Sequence, residues 1–138
     1  MRQILIAVML LLPGAGVVNA LWFSGELKRF LEAVPMLVSP YHLEQYKRVV
    51  ARQMVAALVQ IVILALPPVA YFVGLALGAL RLPDVLYVIV PSAVVLLVAL
   101  MVRPTELRAR TIPTADPELE RQRDRIVEAW LTKPLPDW

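Results

Sequence analysis

The sequence predicts an all-α membrane protein with three transmembrane helices, short amphipathic helices and a polar, helical C-terminal tail. The 138-residue chain is 59% hydrophobic and only 18% charged, whereas soluble domains average about 25% charged residues. Residues 53–80 and 85–102 are almost wholly apolar, and each stretch is long enough to cross a hydrocarbon core of ~30 Å. Only Arg81 and Asp84, which lie together between the two stretches, interrupt them with charge.

Residues 1–23 form another apolar segment, and two interpretations of it compete. The residues Val18-Asn19-Ala20 fit a signal-peptidase site, which predicts cleavage after Ala20. Alternatively, the segment stays in the protein as a first transmembrane helix, with Trp22 and Phe23 at the membrane interface. We expect retention, so that the segment acts as a signal anchor.

Residues 24–52 are predicted to form a polar loop with interfacial amphipathic helices. Ser24 can cap a first helix, because apolar residues follow it at i, i+3, i+4 and i+7 spacing. Pro35 ends that helix. Ser39 and Pro40 then start a second one, as N-cap and first helical residue.

The stretch 53–80 is predicted to be transmembrane helix 2. A kink is expected at Pro67–Pro68, where two backbone donors are missing. Ala70, Gly74 and Gly78 recur every four residues, and such a face of small residues lets another helix approach closely.

Residues 81–84 are predicted to form a turn, and residues 85–102 transmembrane helix 3. The polar tail, residues 103–138, carries a short helix at 117–132, because Asp116 is followed by proline and glutamate in the pattern of a helix start. That helix has an apolar stripe, and a helix this short is marginal alone in water. We expect it to dock on a partner through apolar residues of the tail: Leu119, Ile126, Trp130 and Trp138.

Few residues offer chemistry at membrane depth. Gln60 is expected to form an interhelical hydrogen bond, and Asn19 lies near enough to an interface to be solvated. His42 is the only histidine and is a weak candidate ligand for a metal, a haem or a pigment, since metal sites usually bring several ligands together. The chain has no cysteine, and no phosphate loop or metal-ligand spacing occurs. The chain is therefore predicted not to be an enzyme and to have no obligate cofactor, although bound lipid is expected.

The distribution of basic residues predicts the orientation. Basic side chains concentrate in the loop 24–52 and at the start of the tail, and the positive-inside rule places these regions in the cytoplasm. The N-terminus is then outside. The arginine-rich composition favours a bacterial inner membrane as the location. The arginines lie beside apolar spans, so nucleic acid is not an expected partner.

These observations favour a non-catalytic accessory subunit that packs on larger integral-membrane subunits within the lipid bilayer, for example in a respiratory or photosynthetic complex. One alternative is a small homo-oligomeric channel or transporter component, with Gln60, Pro67 and Pro68 lining a path. Another is an electron-transfer subunit that binds a cofactor through His42.

Overall fold

The computed structural model describes all of residues 1–138 and is helical throughout, without a strand. Three helices are long and apolar enough to cross a membrane, which confirms the predicted number. The helices are α1 (Arg2–Ala33), α2 (Pro40–Ala76), α3 (Leu86–Arg110) and α4 (Pro117–Thr132), with a short 3-10 helix at Leu82–Val85 before α3.

The chain divides into two compact units. Unit 1 comprises Met1–Leu21 and Val59–Met101, and unit 2 comprises Trp22–Leu58 and Val102–Trp138. Segments of α1, α2 and α3 contribute to each unit, whereas α4 belongs to unit 2 alone. Arg2, Arg81 and Asp84 are the only charged side chains of unit 1, so almost all of the formal charge lies in unit 2.

Unit 1 has a small core made by all three of its helical segments. Met9 of α1 is fully buried and packs with Tyr71, Leu80 and Val88. Pro67 is also fully buried. Burial of Met9 means that α1 is a structural part of this unit, because its removal would uncover the other three side chains.

Unit 2 has a larger core centred on Tyr46, which is fully buried. The Tyr46 hydroxyl donates a 2.9 Å hydrogen bond to the carbonyl of Ala109. This bond satisfies the one polar atom of a ring that otherwise contacts apolar side chains. The other members of the core are Val34, Leu37, Leu43, Val50, Met54, Ile112, Leu119 and Ile126.

A short parallel bridge joins the two connecting segments of unit 2. The Leu37 N–H donates to the carbonyl of Pro113 at 2.9 Å, and the Ala115 N–H donates to the carbonyl of Leu37 at 2.9 Å. Both connections thereby satisfy backbone groups that lie outside any helix. The bridge holds the start of α2 and the start of α4 within one folded unit.

Three helix ends differ from the sequence-based expectation: α1 ends at Ala33 rather than at residue 23, α2 at Ala76 rather than at residue 80, and α3 at Arg110 rather than at residue 102. Ser24 caps no helix, because α1 continues through it to Ala33 without an interruption. No proline lies between Pro13 and Ala33, and Gly25, next to Ser24, costs only about 1 kcal/mol of helix propensity. Helix α2 begins at Pro40, as the Ser39–Pro40 pattern predicts, and it continues through residue 53 without an interruption. Ser39 precedes it, and its hydroxyl accepts the backbone N–H of His42 at 3.3 Å.

Helix α4 has the bounds expected from its capping residues. The Asp116 side chain accepts the N–H groups of Glu118 and Leu119, each at 2.9 Å. Pro117 occupies the first turn, where its missing N–H is not needed. Both features are local in sequence, which explains why the pattern located this helix well.

Gly78 ends α2 and does not continue the face of small residues, which corrects the expectation for this residue. The helix stops at Ala76, and Gly78 has a φ of 68°. Its N–H donates to the carbonyl of Leu75 at 3.0 Å, and the Ala79 N–H donates to the carbonyl of Gly74 at 2.8 Å. This pair of bonds is a Schellman motif, which needs a residue in the left-handed region.

Gly78 and Gly14 form a matched pair for testing this role, since a Cβ atom would meet open space at both. We expect Gly78→Ala to lower the free energy of unfolding by roughly 1 kcal/mol through backbone strain. Gly14→Ala, inside α1, should instead raise it by up to about 1 kcal/mol through helix propensity. Circular dichroism of unfolding in detergent micelles measures both. Shifts of the same sign would contradict the capping role.

Candidate functional site

The expected packing face of α2 is turned into unit 1. A Cβ atom on Gly74 would lie 2.6 Å from Leu80 Cδ1 and 2.8 Å from Leu5 Cδ1. Ala70 packs against the same core. The chain's own α1 and the segment after α2 therefore fill the space beside Gly74, so in unit 1 this face holds the protein together.

A second close approach in unit 1 involves Gly16, which the sequence analysis did not single out. A Cβ atom there would lie 2.9 Å from Gln60 Nε2 and 3.1 Å from Ile63 Cγ2. Gly16 thus lets α1 come close to α2. The run Pro13-Gly14-Ala15-Gly16 carried a signal for this contact, because small residues in apolar helices mark close packing.

Gln60 makes an interhelical hydrogen bond of the expected kind, and its partner is Asn19. Asn19 Nδ2 donates to Gln60 Oε1 at 3.0 Å. The sequence predicted that Asn19 would be merely solvated. This prediction is wrong, because Asn19 contacts α2. The Gln60 Nε2 atom is buried and has no hydrogen-bond partner. An amide pair between apolar helices fixes their rotation and register, because each group loses its partner if either helix turns.

An ion pair joins the start of α1 to the segment before α3. Arg2 Nη2 donates to Asp84 Oδ1 at 2.9 Å, and the Arg81 N–H donates to Asp84 Oδ2 at 2.8 Å. Asp84 is only 5% exposed. A carboxylate with this little water needs such donors, since a buried charge without partners is strongly unfavourable.

The tail residues expected to dock on a partner mostly pack within the chain. Leu119 and Ile126 are buried in the core of unit 2, which corrects their assignment to a partner surface. Trp130 is partly buried against that core, and the Arg110 guanidinium lies 5.3 Å from the centre of its ring, within the range of a cation–π interaction. Only Trp138, which is 43% exposed, keeps a substantial free surface.

Trp138 borders a groove of about 510 Å³ on unit 2. Three of its five charged side chains are already paired: Lys133 pairs with Asp137 inside the groove, and Lys47 pairs with Glu44 outside it. The hydrogen bond from Lys133 lowers the pKa of Asp137. The groove is therefore of mixed polarity, and Arg125 and Glu128 are its charged side chains without an ion pair. Its lining comprises Lys47, Gln122, Arg125, Ile126, Glu128, Ala129, Thr132, Lys133, Asp137 and Trp138.

His42 lies in the first turn of α2. Its Nδ1 atom is buried without a hydrogen-bond partner, and its ring centre is 6.2 Å from that of Tyr41. No group of three or more His, Cys, Asp or Glu side chains in the chain is arranged to hold a metal ion. His42 is thus a single imidazole beside an aromatic ring, without convergent ligands.

The largest candidate interaction site is the apolar surface that unit 1 leaves uncovered, which we call the open face. In the most apolar 18-residue window of each long helix, only 17%, 17% and 11% of the residues are buried for α1, α2 and α3. Side chains as large as Phe72, Ile61 and Leu97 are each more than 60% exposed. Gly14 is exposed on α1 with open space beside it.

Comparisons with protein-family models, with curated proteins and with solved structures find no match to this chain. The protein can therefore be classified only by its fold. By length and composition, it is a small all-helical protein with three helices suited to crossing a membrane.

The ion pair between Arg2 and Asp84 can be tested by a double-mutant cycle. We expect Arg2→Gln and Asp84→Asn each to lower the thermal midpoint in detergent, because each leaves the other charge without its partner. The thermal midpoint of the double variant should fall by less than the sum of the decreases in the two single variants. Arg81→Gln is the control, since the hydrogen bond from Arg81 to Asp84 comes from the backbone N–H, which this substitution keeps. Strictly additive losses would show that the two side chains do not interact.

Proposed function

We propose that this chain is a small integral-membrane accessory subunit that packs on larger subunits of a bacterial membrane complex and has no catalytic residues of its own. The open face is the observation that supports the proposal most directly. A soluble monomer rarely exposes an apolar patch of more than a few hundred Å². The open face runs along three long helices, so lipid and other membrane subunits are the natural partners to cover it.

The internal contacts of unit 1 support a packing role. Gly16 and Gly74 allow close contacts within the unit, and the hydrogen bond between Asn19 and Gln60 fixes the register of α1 against α2. Unit 1 therefore offers a preformed surface to its neighbours. A preformed surface binds with less loss of conformational entropy than separate helices would.

Unit 2 supports attachment at a polar boundary. It has its own core and carries nearly all of the charged side chains. Such a unit is suited to water or to the headgroup region, where charges remain solvated. By the positive-inside rule, the basic residues of its loop and tail place it in the cytoplasm, with the N-terminus outside.

We also propose that α1 is retained in the mature protein. Met9 is fully buried in the core of unit 1, and Gly16 lies against Gln60. Cleavage after Ala20 would remove both contacts together with the Arg2–Asp84 ion pair. By analogy of fold class, a respiratory or photosynthetic complex is a suitable setting, because such assemblies contain small helical subunits.

The accessory role is tested by purifying the tagged chain in mild detergent from its native host. We expect it to co-purify in fixed stoichiometry with larger integral-membrane proteins. Gly14→Leu should release these proteins by obstructing the open face. The isolated chain should keep its thermal midpoint or raise it slightly, because nothing lies within 4 Å of Gly14 and leucine favours a helix more than glycine does.

Gly74→Leu is the matched comparison, because its side chain must displace Leu5 and Leu80. It should lower the midpoint of the isolated chain itself, as overpacking typically costs about 1–3 kcal/mol. A chain that purifies only with copies of itself would favour the homo-oligomer instead. A chain that stays monomeric in mild detergent would refute the accessory role.

A further inference from the structure

In unit 2, almost all carboxylates have a partner within the chain, but several arginines have none. Every carboxylate of the unit except Glu128 makes an ion pair or accepts a hydrogen bond within the chain. Several arginines, by contrast, make no ion pair and no side-chain hydrogen bond. Four of them are exposed on the three long helices: Arg29 on α1, Arg48 on α2, and Arg103 and Arg108 on α3.

The other arginines of these helices form ion pairs with carboxylates of the chain, so the four differ from them in having no partner. Arg52 pairs with Glu26, and Arg110 pairs with Glu106. On α4, Arg121 pairs with Glu118, and Arg123 contacts Glu120 and Asp124. Arg125 is also unpaired, but it lies in the groove on α4. Most arginines of unit 2 without an ion pair therefore lie on the three long helices, which also carry the apolar windows.

These four arginines lie close in sequence to apolar stretches. Arg103 directly follows the apolar stretch of α3, and Arg108 lies about 8 Å further along the helix axis. Arg29 lies about 10 Å beyond Trp22, whose side chain is 71% exposed. Exposed tryptophan is typical of the membrane interface. The polar headgroup region is roughly 5–8 Å thick on each side of the hydrocarbon, and a long arginine side chain can extend into it.

We propose that Arg29, Arg48, Arg103 and Arg108 bind the phosphates of anionic phospholipids at the membrane surface. A guanidinium group pairs with a phosphate through two parallel N–H···O bonds, which suits an arginine without an internal partner. Anionic headgroups of the adjacent leaflet attract basic residues of this kind. The inference rests on the membrane insertion in the proposed function but not on any partner subunit.

The test uses the isolated full-length chain in detergent, titrated with phosphatidylglycerol or phosphatidylcholine and followed by native mass spectrometry. The wild-type chain should bind the anionic lipid at least about threefold more tightly, since each basic residue near a lipid surface adds attraction. The variant with Arg29, Arg48, Arg103 and Arg108 all changed to glutamine should lose this preference. Its circular dichroism should be unchanged, because the four side chains make no ion pair and no hydrogen bond within the chain.

Arg121→Gln is the control, since it removes the same charge from an arginine that already has a carboxylate partner. It should keep the wild-type preference. Equal preference for both lipids in the wild type, or an undiminished preference in the fourfold variant, would overturn the proposal. A further arm adds millimolar inorganic phosphate alone and follows the thermal midpoint. If phosphate raised the midpoint as much as phosphatidylglycerol does, the arginines would form a site for a free anion, and the lipid proposal would be wrong.

Discussion

The uncovered apolar surface of the three long helices is the constraint on which the rest of the structure depends. Water cannot solvate that surface at low cost, since each Å² of it is worth about 25 cal/mol. A helix satisfies its own backbone groups, which makes it one of the few elements that tolerate hydrocarbon. The helical fold, the scarcity of charge in unit 1 and the gathering of charge in unit 2 are what placement of this surface in hydrocarbon would require.

Unit 1 has few polar contacts between side chains, and each of them fixes one helical segment against another. The Asn19–Gln60 pair joins α1 to α2, and the Arg2–Asp84 pair joins α1 to the segment before α3. Apolar packing alone specifies helix rotation weakly in a membrane, because lipid chains are as apolar as leucine. These two directional contacts supply the specificity that apolar surface lacks. Close approach at Gly16 and Gly74 then determines how near the helices come.

The sequence predicted the features that depend on local pattern. The three apolar spans followed from length and hydropathy, and Asp116 with Pro117 located the start of α4. Partners that depend on helix rotation were not predicted: the sequence indicated an interhelical hydrogen bond for Gln60, but not that Asn19 makes it. Asn19 and Gln60 are 41 residues apart, and Arg2 and Asp84 are 82 residues apart. Leu119 and Ile126 were assigned to a partner, because an apolar stripe does not reveal whether the chain or another protein covers it.

Placement of the apolar windows in hydrocarbon is the central claim, and site-directed thiol labelling tests it most directly. The chain has no cysteine, so single cysteines at exposed Leu97 of α3 and exposed Leu135 of the tail can be compared in native membranes opened to both sides. We expect a water-soluble maleimide to label Leu135→Cys rapidly and to leave Leu97→Cys unlabelled until detergent with denaturant is added. Equally rapid labelling at both positions in the membrane would contradict the claim.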